Sequence, residues 1–331
     1  MRIFDPHIHM TSRTTDDYAA MASAGVSALV EPAFWLGQPR SSVASFVDYF
    51  DSLLGWEPFR AAQFGIAHHA AIALNPKEAG DPGLRGVLGL LPRYLAKDHV
   101  VAVGEVGYDS MTPAEEKAFE VQLALATDHG LPVLVHTPHR DKAAGTRRSL
   151  DVVSACGIDP RRVVCDHLNE QTVAMVAENG CWMGFSIYPE TKMSADRMVT
   201  ILQRYGTARV LVNSAADWGR SDPLATRKTA EAMLAAGFAP TTWTGCSGAT
   251  RWSSTGRAAV SGWTKEPGRR PGKEPGRPEP TAGRRPDTAR PPQPNSRATP
   301  SSEENRHALP PPGWHPRPLE LLHQRPRRGR P

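Results

Sequence analysis

The stretch Ile3-Phe4-Asp5-Pro6-His7-Ile8-His9 decides the fold. It is a short apolar run that closes on Asp-x-His-x-His. Period two in a strand puts His7 and His9 on one face, so one strand end can present two imidazoles to one ion. The turn that follows, His7-Ile8-His9-Met10-Thr11, lacks the glycines with which an open doubly-wound sheet cradles a dinucleotide. A barrel is the better reading.

Working outward, the chain to Pro240 alternates strand-like and helix-like segments. Strands are expected at 2–8, 26–33, 63–68, 100–105, 132–137, 162–167, 181–186 and 209–214. Helices are expected at 14–24, 42–54, 83–96, 113–129, 145–156, 170–179, 193–205 and 222–236. Thr112-Pro113-Ala114-Glu115 reads as an N-cap, a first-turn proline and an acidic first turn, with Gly130 past the helix end. Eight such units predict an α/β fold of the TIM (β/α)8 type, whose functional residues sit at strand C-termini and in the loops that follow.

Glu105, His136, His167 and Asp217 fall at or just beyond the ends of later expected strands. With His7 and His9 they form a nitrogen and oxygen donor set suited to zinc first, and also to manganese, nickel, iron or magnesium. Each has a plainer reading as well. A single strand-end histidine is often a hydrogen-bonded structural residue, Glu105 can cap a loop, and Asp217 can cap the last helix. The His-x-His pair on the first strand, with Glu and Asp on the fourth and eighth, favours a metal site. Two cations sharing a carboxylate would generate a hydroxide near neutral pH, with Asp217 and Glu105 as the catalytic carboxylates. Candidate substrate contacts are His69 at the end of the third expected strand, His139 and Arg140 after His136, and Trp218 after the eighth strand. Trp35 is a second aromatic candidate. Arg140 offers a guanidinium fork for a phosphate or carboxylate.

The Asp5-x-His7-x-His9 opening, the run Gly104-Glu105-Val106-Gly107-Tyr108-Asp109, and His136, His167 and Asp217 resemble the TatD family of amidohydrolase-type barrels over most of residues 1–240. The resemblance implies a metal-dependent hydrolase, and many members are described as deoxyribonucleases. It also implies that His7 and His9 hold one cation with Asp217, and that Glu105 bridges to a second held by His136 and His167. Three stretches depart from the family pattern. Asn213-Ser214-Ala215-Ala216-Asp217 replaces Glu-Thr-Asp, His136-Thr137-Pro138-His139-Arg140 stretches His-x-Arg, and Leu168-Asn169-Glu170 replaces a small Gly-rich loop. The expected substrate is therefore a small ester, phosphoester or amide. Nucleic acid, as for a TatD-type deoxyribonuclease, is the less favoured alternative, and a catalytically impaired barrel kept as a binding protein is another.

Composition divides the chain. Of 39 Lys+Arg and 34 Asp+Glu, residues 1–240 hold 22 and 27, a net of −5, and residues 241–331 hold 17 and 7, a net of +10. The second segment also holds 17 of the 31 prolines. It has no hydrophobic periodicity, and a disordered basic tail over 241–331 is expected. The break falls where a barrel should close. Residues 241–258, back-translated with GC-rich codons and shifted in frame, can be read as an amphipathic helix ending in Asn-Pro, so the tail reads either as frameshift-derived or as a genuine disordered Arg/Pro-rich segment. The four cysteines have no C-x-x-C spacing, and no apolar run is long enough to span a bilayer. A cytoplasmic protein without a membrane partner is expected. No oligomeric state is read from the sequence.

Overall fold

The computed structural model describes residues 1–246. Eight parallel strands lie in sequence order: β1 Ile3–Asp5, β2 Val26–Pro32, β3 Ala67–Ile72, β4 Val100–Gly107, β5 Val133–His136, β6 Val163–Asp166, β7 Trp182–Ser186 and β8 Val210–Asn213. The ends of the sheet meet through backbone bonds just beyond β8 and β1. Ala215 N–H donates to His7 O (2.8 Å) and His9 N–H to Ala216 O (2.9 Å). Asp5 reinforces this seam by accepting from the backbone N–H of both His7 and Ser214 (3.2 Å each). Its carboxyl is fully buried, and desolvation lifts its pKa to about 6. The result is the expected TIM barrel.

The helices are α1 Thr15–Ser23, α2 Val43–Asp51, α3 Glu57–Ala62, α4 Pro76–Ala79, α5 Val87–Leu95, α6 Pro113–Asp128, α7 Lys142–Ala155, α8 Val173–Asn179, α9 Ala195–Tyr205, α10 Ala225–Ala235 and α11 Pro240–Cys246. The start of α6 follows the sequence closely. Thr112 Oγ1 accepts from Glu115 N–H and Glu115 Oε2 accepts from Thr112 N–H (3.3 Å each), which satisfies two otherwise orphaned donors. Side chains alternate between two layers. Phe4, Val30, Ala71, Leu134, Val164 and Leu211 fill the barrel interior, while Leu29, Ile72, Val103, Val135 and Phe185 pack outward against the helices. Truncating a filled interior position such as Leu211→Ala removes about 2–5 kcal/mol of stability.

Two expectations are corrected here. The third strand begins at Ala67, four residues later than expected. Helix α3 ends in a turn through Gly65, whose φ of +71° suits glycine, and Ile66 N–H caps back to Ala61 O (3.1 Å), so residues 63–66 finish a helix. The second correction concerns the boundary at Pro240. Residues 240–246 form a helix, and Trp243 is buried in the outer core. The rest of the expected tail, and the shifted-frame reading of it, lie outside the described residues.

Candidate metal centre

At the C-terminal mouth, β1, β4, β5 and β6 bring five side chains to one place. The donor atoms of His7, His9 and Glu105 lie within 4.8 Å of one another, and so do those of Glu105, His136 and His167. Glu105 joins both groups. Its Oε1 lies 3.5 Å from His7 Nε2, 3.1 Å from His167 Nε2 and 3.4 Å from His136 Nδ1. The Nε2 atoms of His7 and His9 are 3.0 Å apart. Gly104 lets β4 lie close against β5, because a Cβ there would meet Leu134 Cβ at 2.6 Å.

Supporting contacts hold four of the five donors, all but His136. Asp166 Oδ2 sits 2.6 Å from His7 Nδ1, leaving Nε2 to face the cluster. Asp166 also accepts from Asn213 Nδ2 at both oxygens (3.0 Å each) and from His167 N–H (2.7 Å). A third compact donor group, His7 with Asp166 and His167, exists, but Asp166 is already spent on these bonds. His167 has a left-handed backbone with φ of +61°, a strained conformation that persists only when its surroundings hold it. Those surroundings are Asp166 on its N–H, Lys142 Nζ on its carbonyl (2.7 Å) and Ser186 Oγ beside Nδ1 (2.6 Å). Asn75 Nδ2 donates to Glu105 Oε2 (3.1 Å), and His9 stacks on Phe34 at 4.0 Å between centroids.

The electrostatics follow from burial and proximity. Burial opposes a charged Glu105, but His7, His136 and His167 hold its carboxyl well below the usual range. Burial, with the charge of His7, pushes His9 well below its ordinary value. Burial likewise holds His167 low. Neutral His9 and His167 beside an ionised Glu105 are protonation states that suit a cation, whereas burial of His7 is outweighed by Glu105 and Asp166, which raise its pKa. His9 Nδ1 and His136 Nε2 are buried without a hydrogen-bond partner. Clustered lone pairs and orphaned nitrogens of this kind fit a divalent metal.

A cavity of about 460 Å³ opens onto the cluster, and Trp35, Lys77, His139, Lys192, Asp217 and Trp218 are among its lining residues. Asp217 stands outside the compact donor groups. Its Oδ1 accepts from Tyr188 Oη (3.0 Å) and from Gly219 N–H (2.8 Å), which aims the carboxylate across the mouth. Trp218 is 58% exposed at the rim. His139 reaches the cavity and lies 6.0 Å from the His167 ring.

Two expected substrate residues are elsewhere. Arg140 is exposed and is not among the residues lining this cavity. His69 is at the opposite end of the barrel, because β3 starts later than expected. Its ring lies 6.3 Å from His99, which directly precedes β4, and burial lowers its pKa to about 4. Neighbouring His68 faces the helices and pairs with Glu31 (2.8 Å).

Sequence reasoning passed over Asp166, Asn75, Lys77, Tyr188 and Lys192. Asp166 had a usable signal, since it is the carboxylate immediately before His167 at a strand end. Lys192 had none. It lies on the turn after β7, where Lys192 N–H donates to Tyr188 O (2.8 Å) and Tyr188 N–H to Met193 O (3.0 Å), and only that turn folds it back over the mouth.

An eight-stranded barrel with imidazoles and a shared carboxylate at its C-terminal mouth fits the class of metal-dependent hydrolases. Residues 4–236 match the model of the TatD related DNase family, and the chain belongs to that family. It is 27% identical over 212 residues to the uncharacterized metal-dependent hydrolase MJ0761 of Methanocaldococcus jannaschii, covering 63% of this chain and 82% of that protein. It is 28% identical over 189 residues to the uncharacterized metal-dependent hydrolase TatD of Mycobacterium tuberculosis, covering 54% and 66%. The TatD-like protein AF1765 of Archaeoglobus fulgidus superposes with a TM-score of 0.61 at 25% identity, over 70% of this chain and 92% of that one. YjjV, a TatD homolog of Escherichia coli K12, shares the fold with a TM-score of 0.54 at 19% identity, over 74% and 95%. No helix among the described residues is long and apolar enough to cross a membrane.

Proposed function

We propose that this metal-dependent hydrolase is binuclear and cleaves an ester, phosphoester or amide bond in a small substrate. Glu105 carries the reading, because one carboxylate belongs to two compact donor groups. In this reading His7 and His9 would hold one cation and His136 and His167 the other, with Glu105 available to both. When bound, the cations polarise the scissile bond and lower the pKa of the attacking water. Asp217 takes the water's proton. Tyr188 and Gly219 restrain its carboxylate, and Tyr188, itself pushed up to about 12 by burial and by Asp217, stays a donor to it. Asp166 sets the tautomer of His7 and shares control of the His167 backbone. Trp35 and Trp218 wall the cavity, whose size suits a small molecule better than a duplex.

The test is metal analysis of the purified chain together with a panel of esters, lactones, phosphoesters, amides and DNA, with His7→Ala as control. About two cations per chain and His7-dependent hydrolysis of a small ester, phosphoester or amide are expected. One cation per chain at full activity would refute the binuclear reading. Fast DNA digestion abolished by His7→Ala would make the substrate a nucleic acid.

A further inference from the structure

A second cavity, also of about 460 Å³, adjoins the first and shares His139, His167, Thr191 and Lys192 with it. Its further lining includes Lys142, Asn169 and Gln171, with Asp141 as its one carboxylate. The wall common to the two cavities thus carries the ammonium of Lys192. That ammonium makes no ion pair within 4.0 Å among the described residues. Its Nζ lies 3.4 Å from His167 Nδ1 and 5.4 Å from the centre of the Tyr188 ring. Lys142 is committed, since its Nζ donates to His167 O (2.7 Å) and Thr137 Oγ1 (3.0 Å). Lys77 is also committed, through Asp109 at 2.6 Å. Neither Lys142 nor Lys192 faces an anion within 4.0 Å among the described residues, but Lys142 has oxygen acceptors for its ammonium and Lys192 has none.

A cation withdrawn from bulk water without a counter-ion is costly, and a fixed turn holds this one there. Its position supplies the reason. An anion on Lys192 would lie beside His167, one reach from the Glu105 cluster, with the amides of Asn169 and Gln171 further along the side cavity. We infer that the side cavity is an anion subsite in which Lys192 binds a non-reacting carboxylate or phosphate of the substrate while the scissile bond lies at the donor cluster. The substrate is then a small molecule with two separated polar ends. This rests on the reading of the cluster as the hydrolytic centre, but the binding itself does not require turnover.

Two measurements on the zinc-loaded full chain, at constant ionic strength, separate the ideas. Calorimetric titration with succinate and with inorganic phosphate compares the natural chain with Lys192→Met and Lys192→Arg. Loss of a charge-assisted contact should weaken at least one anion about tenfold in Lys192→Met, with zinc content unchanged and most of the affinity kept in Lys192→Arg. The anion that loses affinity identifies the group as carboxylate or phosphate. Equal affinity for both anions in Lys192→Met and the natural chain overturns the subsite. Should Lys192→Met fail to fold, Lys192→Gln provides the comparison, and unchanged affinity for both anions in it overturns the subsite. The second measurement compares a neutral methyl ester with a succinate monoester of the same alcohol. A preference for the charged ester that vanishes in Lys192→Met supports the subsite, and a preference that survives overturns it. Absence of hydrolysis of every panel substrate breaks the hydrolase reading and leaves the titration to decide the subsite.

Discussion

The donors on β1, β4, β5 and β6 and the carboxylate after β8 reach the same mouth by different means. His7, His9, Glu105, His136 and His167 sit on strands or within a few residues of them, and the barrel brings them together so that the donor atoms of each group lie within 4.8 Å of one another. Asp217 lies four residues past β8, beyond Ala215 with its left-handed φ of +41°, and its carboxylate ends against Tyr188 and Gly219. Strand-borne groups inherit their direction from the sheet, whereas a loop-borne group goes where its turn sends it. In the proposed reading the first region would hold the cations and the second would meet the water they activate.

Glu105→Gln breaks the first region at its centre. Turnover should fall at least about a thousandfold and the protein should lose metal, because the only carboxylate common to both groups loses its charge. Retention of full metal content would separate the carboxylate from the cations. Asp217→Asn probes the second region. A loss of about 10²–10⁴-fold in turnover with metal retained is expected for an amide that accepts no proton. If metal content falls instead, Asp217 belongs with the strand-borne donors and the contrast between the regions fails. Asp166→Asn should weaken metal affinity about 10–100-fold, measured by competition with a chelator, because His7 loses the partner that sets its tautomer.

The smallest expected effect lies at the far end of the barrel. His69 is held neutral to about pH 4, while the unfolded chain protonates this residue near its ordinary value of 6.5. The unfolded state therefore binds the extra proton between those values, and stability is lost as pH falls through that window. His69→Leu should remove this part of the acid sensitivity, seen as a smaller drop in melting temperature between about pH 7 and about pH 4.5 than in the natural chain. An unchanged drop would show that the ring is hydrated and the floor of the barrel open.

His69 also shows how a sound pattern can mislead. The pair His68-His69 after an apolar segment reads as a strand end, and a strand end in this fold is the functional face. The helix before it runs on to Ala62 and turns at Gly65, so the same residues begin a strand and sit at the floor. A shift of four residues preserves alternation and reverses the end of the barrel. Arg140 shows a second limit, because a place four residues after His136 tells nothing of whether a loop bends inward.

The sequence by itself determined the barrel and the strand-borne donors. Period-two alternation fixes which face a strand residue takes, and alternating strands and helices fix which end carries chemistry. Glycines and caps added the punctuation, as in Thr112 to Glu115. Tertiary structure alone decided what depends on contacts distant in sequence. Asp166 became the partner of His7 across 159 residues, and the backbone of His167 was clamped by Lys142. Lys192 was carried over the mouth by a turn with no periodic signal, and β1 was joined to the residues after β8. Local pattern sets direction relative to the chain's own backbone, and only closure of the sheet sets the distance between one strand end and another.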